Sequence, residues 1–254
     1  NNNEFAMILF WELNFLKQGK YKLIYCLIQD KLVSVISKHL KKKIKQQQNF
    51  IEYLRINFKK KLSPEIIEKM HKYFTSKEMY KNSVPVITNP YFNLLKIDMM
   101  KAKIKKSSSK PILIPLLVKN KFTNKKIKYN LLYKKDDLRK EKIIMNIIAI
   151  IDKIVKKEED IDLLLSKYNI LPINHEEGFI EIIPDSITLY DLKLKRFSIQ
   201  NYINEHNPKR SIHETKMRFV MSCAGYCVIT YVLGIGDRHL ENIMLTKNGL
   251  LFHI

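Results

Sequence analysis

The chain has 254 residues, 46% of them hydrophobic, which is enough apolar material for one large core or two modest ones and excludes a disordered or fibrous protein. Lysine and arginine number 46 against 25 acidic residues, a formal charge of +21. That excess suits an anionic partner such as a membrane surface, nucleic acid or nucleotide phosphates, but the lysines run the whole length beside abundant asparagine and isoleucine, so solvated faces account for most of it.

Up to about Phe74 the pattern is helical. "FAMILFWELNFLKQ" and "YKLIYCLIQDKLVSVISKHL" carry wide apolar faces with no competing alternation. "LKKKIKQQQ" (Leu40–Gln48) is polar and of low complexity and reads as a solvated connection. "NFIEYLRINFKKKL" resumes the helix, and "SPEIIEKMHKYF" begins another with Ser63 as N-cap and Pro64 in the first turn. Pro85 and Pro90 in "SVPVITNP" mark a linker. "LLKIDMMKAKI", "KPILIPLLVKN" and "IKYNLLYK" then read as strands. "DDLRKEKIIMNIIAIIDKIVKK" is the clearest helix, with Ile144, Ile147, Ile148, Ile151, Ile154 and Val155 on one face. "YNILPI" and "GFIEIIP" read as two more strands.

After Pro184 the chain turns helical again. The last helix, "IHETKMRFVMSCAGYCVITYVL", is expected to bury Met217, Val220, Met221, Ala224, Cys227 and Val228, with Gly225 at a close approach. "NIMLTKNGLLFHI" predicts a hairpin about Asn248-Gly249. The three cysteines, Cys26, Cys223 and Cys227, lack a disulfide framework and zinc-ligand spacing, which points to a reducing compartment. The longest apolar runs are broken by Asn146 and Asp152 or by Pro115, which predicts a soluble or peripheral protein.

Between the last helix and the hairpin stands "GIGDRHLEN", a polar loop held by two apolar segments. Phosphoryl transfer requires an oriented nucleophile, neutralised phosphate charge and held metal ions, and such a loop is a rigid platform for that work. Asp237 and Asn242 lie five positions apart, the Asp-to-Asn separation of the protein-kinase catalytic loop, whose Asn reaches magnesium. His239 follows the Asp-Arg pair and suits a general base, because imidazole titrates near neutral pH. Gly234 and Gly236 would supply backbone freedom. Neither a GxxxxGK[ST] nor a GxGxxG motif occurs, which argues against a P-loop ATPase or an ordinary protein kinase.

The stretch "SCAGYCVITYVLGIGDRHLENIMLTKNGLLFHI" resembles the catalytic segment of the phosphoinositide 3-kinase family, most closely its class III members. "DDLRKEKIIMNIIAIIDKI" resembles that family's long N-lobe helix, "KPILIPLLV" the strand near the phosphates, and "NEFAMILFWELN" the end of the preceding helical domain. The resemblance implies an α+β fold: a two-lobed kinase-like catalytic domain that clamps ATP between its lobes, preceded by part of an all-α accessory domain. Residues 1–84 would then be the accessory helices and linker, 85–183 the N-lobe, and 184–254 the C-lobe as far as the catalytic loop.

The same resemblance implies the roles. His239 would be the base, Asp237 would support the loop, Arg238 would pack or pair nearby, and Asn242 would bind Mg2+ (or Mn2+). Lys134 would contact the ATP phosphates, with Lys110, Ser108 and Ser109 in the phosphate-facing loop. Tyr168 and Glu141 would line the inner pocket, and the backbone of Glu181 and Ile183 would form the adenine hinge. "YKKDDLR" is one residue shorter than the family's pattern, so an ungapped reading puts Tyr133 in the lysine's place, and Lys140-Glu141 replaces the family's Gln-Asp. The family continues past "LFHI" with Asp-Phe-Gly, a further metal ligand, so residues 1–254 alone are expected not to turn over. The implied activity is phosphorylation of phosphatidylinositol at its 3-hydroxyl, on endosomal or vacuolar membranes and in autophagy, from the cytoplasm, with a pseudokinase-like regulatory subunit. Alternatives are a related phosphoinositide or Ser/Thr kinase of the same fold and, more remotely, a basic helical scaffold for nucleic acid; no nucleic-acid partner is expected.

Overall fold

The computed structural model describes residues 2–17, 19–58, 64–76, 83–105 and 110–254. The chain divides into two compact units, one of residues 1–142 and 169–182, the other of residues 143–168 and 183–254.

In the first unit, helices α1 (Asn2–Leu16), α2 (Lys22–Val35), α3 (Lys38–Phe58) and α4 (Pro64–Ser76) precede an antiparallel sheet. Its strands are β1 (Pro85–Val86), β2 (Asn89–Ile97), β3 (Lys103–Ile104), β4 (Ile112–Asn120), β5 (Lys126–Lys134), β6 (Ile170–Pro172) and β7 (Gly178–Ile182). They run in the order β1-β2-β4-β5-β7-β6, with β3 added to β4. Every second residue of β4 is buried (Ile112, Ile114, Leu116, Val118), the alternation of a sheet with one face on a core. That core is shared with the helices: Phe10, Trp11, Leu54 and Phe74 belong to the same cluster as Ile114, Tyr133 and Phe179.

Two expectations change here. Residues 40–48 are no connection; they lie inside α3, with Leu40, Ile44 and Gln47 buried. Their spacing continues into Ile51 and Leu54, so the lysines simply occupy the other face. Gln47 is held by polar contacts, accepting from Trp11 Nε1 at 2.8 Å and donating to the Pro85 carbonyl at 2.8 Å. The proline-marked segment is likewise no linker. Val84, Val86 and Ile87 are buried and β1 pairs with β2, Pro85 standing at a strand start where its missing N–H costs no ladder bond. Strand β2 also ends early, at Ile97, and a 3-10 turn (Met99–Lys101) separates it from β3. Pro64 opens α4 as expected, whereas Ser63 lies outside the described residues.

Helix α5 (Arg139–Glu158) begins in the first unit and continues into the second. It buries Met145, Ile148 and Asp152, while Ile154 is exposed, so its buried face is rotated from the predicted isoleucine stripe. The second unit adds α6 (Leu189–Leu194), α7 (Ile199–His206) and α8 (Ile212–Val232), with a sheet of β8 (Ser186–Thr188), β9 (Ile243–Thr246) and β10 (Leu251–His253) in the order β10-β9-β8. Each of α6, α7 and α8 has a Thr or Ser N-cap accepting a backbone N–H, from Asp191, Asn201 and Glu214 respectively.

Helix α8 departs most from expectation. Met217, Val220, Ala224, Cys227 and Val228 are exposed; the buried residues are Thr215, Ser222, Gly225, Tyr226 and Ile229. The helix is apolar nearly all round, so apolar spacing alone does not select a face. What selects it is polar pairing and close approach. Ser222 Oγ accepts the Leu251 N–H at 2.9 Å, and a Cβ on Gly225 would stand 2.8 Å from a Leu165 methyl.

Candidate active site

The loop 234–242 leaves α8 and enters β9. The Ile235 N–H donates to the Thr230 carbonyl at 2.9 Å, the Tyr190 N–H to Leu240 at 3.0 Å, and the Ile254 N–H to Asn242 at 3.1 Å. The loop is thus tied to α8, α6 and the end of β10. The hairpin that follows turns through Lys247–Leu250, with Gly249 at φ 88, four residues rather than the two an Asn-Gly turn suggests. Of the loop's glycines only Gly234 (φ 61) uses left-handed backbone; Gly236 does not, and the second such position is Asp237 at φ 57. Aspartate tolerates that region better than most residues.

Three predicted residues meet in this loop. Asn242 Nδ2 donates to the Asp237 carbonyl at 2.9 Å and lies 3.3 Å from its carboxylate Oδ2 and 3.1 Å from His239 Nε2. His239 Nε2 is 3.7 Å from Asp237 Oδ1, and the Glu241 N–H points at Nδ1 from 3.2 Å. Both ring nitrogens therefore face N–H donors, and a neutral imidazole has one acceptor nitrogen. The tautomer that keeps the Asn242 contact presents its lone pair at Nε2. Arg238 points elsewhere, donating to the Gly236 carbonyl at 2.7 Å. Burial, then the Arg238 charge, pushes His253 down to about 4, so that ring stays neutral on β10 against Tyr226.

In the first unit, Lys134 closes β5 and lies 2.8 Å from Asp136 Oδ2 and 4.0 Å from Glu141 Oε1 of α5. The hydrogen bond from Lys134, more than any other contact, holds Asp136 below the usual carboxylate range. Tyr133 does not fill the lysine's place: it is buried, its ring packed on Phe58 and Phe179 and its hydroxyl donated to Glu177. Asp136, given no role from the sequence, was signalled only by the paired acids after the lysines.

Lys110 is exposed, at φ 44, just before β4; Ser108 and Ser109 lie outside the described residues. Glu181 is on β7, where its side chain accepts from Asn169 Nδ2 at 2.7 Å and its N–H donates to the Asn169 carbonyl at 2.8 Å. Burial raises its pKa, opposed by the hydrogen bonds its carboxylate accepts from the Asn169 N–H, the Tyr129 hydroxyl and Asn169 Nδ2. Ile183 is the first residue of the second unit after β7, and its carbonyl accepts the Ser186 hydroxyl at 2.7 Å. Tyr168 precedes β6 instead of lying on a strand, and its ring centre is 6.3 Å from that of Phe252.

Among the described residues no cluster of three or more His, Cys, Asp or Glu could hold a metal ion. The loop does offer a hard cation one oxygen: with Nδ2 directed at Asp237 and His239, the Asn242 amide oxygen takes no part in those bonds. The exposed Asp237 carboxylate stands beside it. One or two such oxygens suit Mg2+, which keeps several waters and binds largely through phosphates.

Two overlapping segments, residues 128–211 and 194–254, match the family model described as phosphatidylinositol 3- and 4-kinase and together reach across half of the chain. The chain is 34% identical over 181 residues (68% of its length) to the phosphatidylinositol 3-kinase pik3 of Schizosaccharomyces pombe, covering 22% of that protein. It is 42% identical over 130 residues (49% of its length) to the phosphatidylinositol 3-kinase VPS34 of Arabidopsis thaliana, covering 16% of it. Against the phosphatidylinositol 3-kinase VPS34 of Saccharomyces cerevisiae the figures are 39% over 158 residues, 60% of the chain and 17% of the relative. The chain thus spans about a fifth, or less, of the length of these relatives.

Proposed function

Because the chain belongs to the phosphatidylinositol 3- and 4-kinase family, we propose that the protein carrying it transfers the terminal phosphate of ATP to the 3-hydroxyl of phosphatidylinositol. The observation that carries the reading is the convergence of Asp237, His239 and Asn242 within one tied loop. The relatives named as phosphatidylinositol 3-kinases support the substrate.

In this reading the inositol 3-oxygen attacks the γ-phosphorus as the bond to the β-phosphate oxygen breaks, and ADP leaves. The hydroxyl proton passes to His239 Nε2 in the tautomer whose lone pair lies there, and the resulting imidazolium stands near the Asp237 carboxylate. Lys134, kept oriented by Asp136 and Glu141, would meet the phosphate oxygens while held by these carboxylates, as the Lys–Glu ion pair of protein kinases must be in place for transfer. Asn242 would contribute a ligand to Mg2+, which when bound neutralises charge on the transferring phosphate. Arg238 would serve the loop through its bond to the Gly236 carbonyl, and Glu181 and Ile183 would meet adenine through backbone groups. Phosphatidylinositol 3-phosphate as product, endosomal or vacuolar membranes as the place of action, a role in trafficking and autophagy, and a regulatory subunit belong to the same proposal. Among the described residues no helix is long and apolar enough to cross a membrane, which fits attachment at the membrane surface.

The test is phosphate transfer from labelled ATP to phosphatidylinositol vesicles, with a protein substrate run in parallel. Label in phosphatidylinositol 3-phosphate supports the reading. Label in the protein substrate alone would replace it with a protein kinase of the same fold.

A further inference from the structure

Glu177, in the turn between β6 and β7, is 4% exposed, yet its carboxylate is met by donors on every side. Oε1 accepts from Arg55 Nε at 2.9 Å and, more closely, from Arg55 Nη2, and Asn174 Nδ2 reaches it at 3.4 Å. Oε2 accepts the Tyr133 hydroxyl. A buried carboxylate is stable only when paired in this way. Its bonds raise the Arg55 guanidinium above the ordinary arginine range, and burial, reinforced by the carboxylate, raises the Tyr133 phenol. Arg55 therefore stays charged and Tyr133 neutral at any physiological pH.

The partners join two parts of the molecule. Arg55 belongs to α3 of the helical block, and Tyr133 immediately precedes Lys134 on β5. On the other side of Lys134, Lys135 Nζ donates to the Phe58 carbonyl, the last residue of α3, at 2.7 Å. Side chains alternate along a strand, so the residues flanking Lys134 turn to the face opposite its own. Tyr133 and Lys135 are thus both pinned to α3 while Lys134 meets Asp136 and Glu141. Across the ladder Lys134 stands opposite Gly178, whose place beside the Leu171 carbonyl leaves no room for a side chain. The strand end that carries the lysine is fixed from the helical block.

We infer that Glu177 is a positioning residue for Lys134, and that through Arg55 and Tyr133 the helix α3 sets the affinity of the site for the phosphates of ATP. The inference rests on the assignment of Lys134 to those phosphates. It makes the helical block a control surface for the site: anything that shifts the end of α3 alters phosphate binding and leaves recognition of the base alone.

Equilibrium binding of MgATP and of adenosine to the full protein carrying this chain tests it, with the variants Arg55→Gln, Tyr133→Phe and Lys134→Met. Tyr133→Phe keeps the ring between Phe58 and Phe179 and removes only the hydroxyl, so it isolates the network from folding. Arg55→Gln and Tyr133→Phe should each weaken MgATP about three- to tenfold while adenosine changes by less than about twofold. Their combined effect should fall short of the product of the two, because both act through Glu177. Native MgATP affinity in both variants, or equal losses for MgATP and adenosine, would overturn the inference. If Lys134→Met weakens MgATP and the network variants do not, the inference alone fails. If Lys134→Met binds MgATP as the native protein does, the assignment of Lys134 fails and takes the inference with it.

Discussion

Gly178 is the position where a single methyl group should do most damage to the lysine-bearing strand. A Cβ built there meets the Leu171 carbonyl oxygen at 2.7 Å, Leu138 Cδ1 at 2.8 Å and Pro172 Cα at 3.0 Å. Two of these neighbours are backbone of β6, and Leu138 is 0% exposed, so its side chain has no free space to turn into. Gly178→Ala must therefore part β6 from β7 at the end of their ladder, where Pro172 pairs with Gly178. Overpacking costs about 1–3 kcal/mol, and backbone neighbours place this case near about 3. For a domain of this size each kcal/mol lowers Tm by about 2–4 °C, so the variant should melt about 6–12 °C early. Thermal melts followed by circular dichroism measure it, with Gly236→Ala as the matched control. A Cβ at Gly236 meets nothing within 4 Å and that backbone is not left-handed, so the control should stay within about 0.5 kcal/mol of native. Coincident melts for the two variants would refute the reasoning.

Three further outcomes follow from the same geometry. His253 has its folded pKa depressed to about 4 from the ordinary histidine value of about 6.5, so proton uptake favours the unfolded chain. Its stabilising effect is complete above about pH 6.5 and is lost as the pH falls towards about 4. At about pH 5 the loss is about 2 kcal/mol undiscounted and roughly 1 kcal/mol once solvent screening of a half-buried ring is allowed for. Urea unfolding should accordingly show His253→Phe losing less stability than native between about pH 7.5 and about pH 5; equal losses would contradict this account. Ser222→Ala removes the acceptor of the buried Leu251 N–H and should lower stability by about 1–3 kcal/mol, whereas Val228→Ser on the exposed side of α8 should change it by less than about 0.5 kcal/mol, both read from denaturant midpoints. Lys134→Met should reduce turnover at least about a hundredfold in the phosphate-transfer assay while the melting curve moves little, because the lysine's ion pairs are partly exposed.

The features most legible in the sequence were those whose chemistry is local. The hairpin about Asn248-Gly249, Pro64 in the first turn of α4, and the polar loop between α8 and β9 each follow from residues that force a backbone geometry or have no reason to sit between buried segments otherwise. The antiparallel strands of the first unit were readable from their alternation, as along β4. Faces were harder. Helix α8 is apolar around most of its circumference, and its buried side is chosen by Ser222 reaching Leu251 and by Gly225 admitting Leu163 and Leu165, contacts set by distant parts of the chain. Residues 40–48 look solvated because a repetitive run of lysine and glutamine hides the spacing of Leu40, Ile44 and Gln47. In the site, the sequence order placed Asp237, His239 and Asn242 in one loop, but it could not reveal that Asp237 takes the left-handed backbone in place of Gly236. Nor could it pair Lys134 with Asp136, or Tyr133 with Glu177, since those contacts depend on strand register.

The central claim is that the loop 234–242 supplies the base for phosphate transfer to an inositol lipid. It is tested most directly by comparing His239→Ala and Asn242→Ala with the native protein, using labelled ATP and phosphatidylinositol vesicles. His239 is half exposed and the Asn242 side chain makes its hydrogen bonds within the loop, so both variants should fold and melt within a few degrees of native. Each should lose at least about a hundredfold in formation of phosphatidylinositol 3-phosphate. Full lipid phosphorylation by either variant would contradict the account.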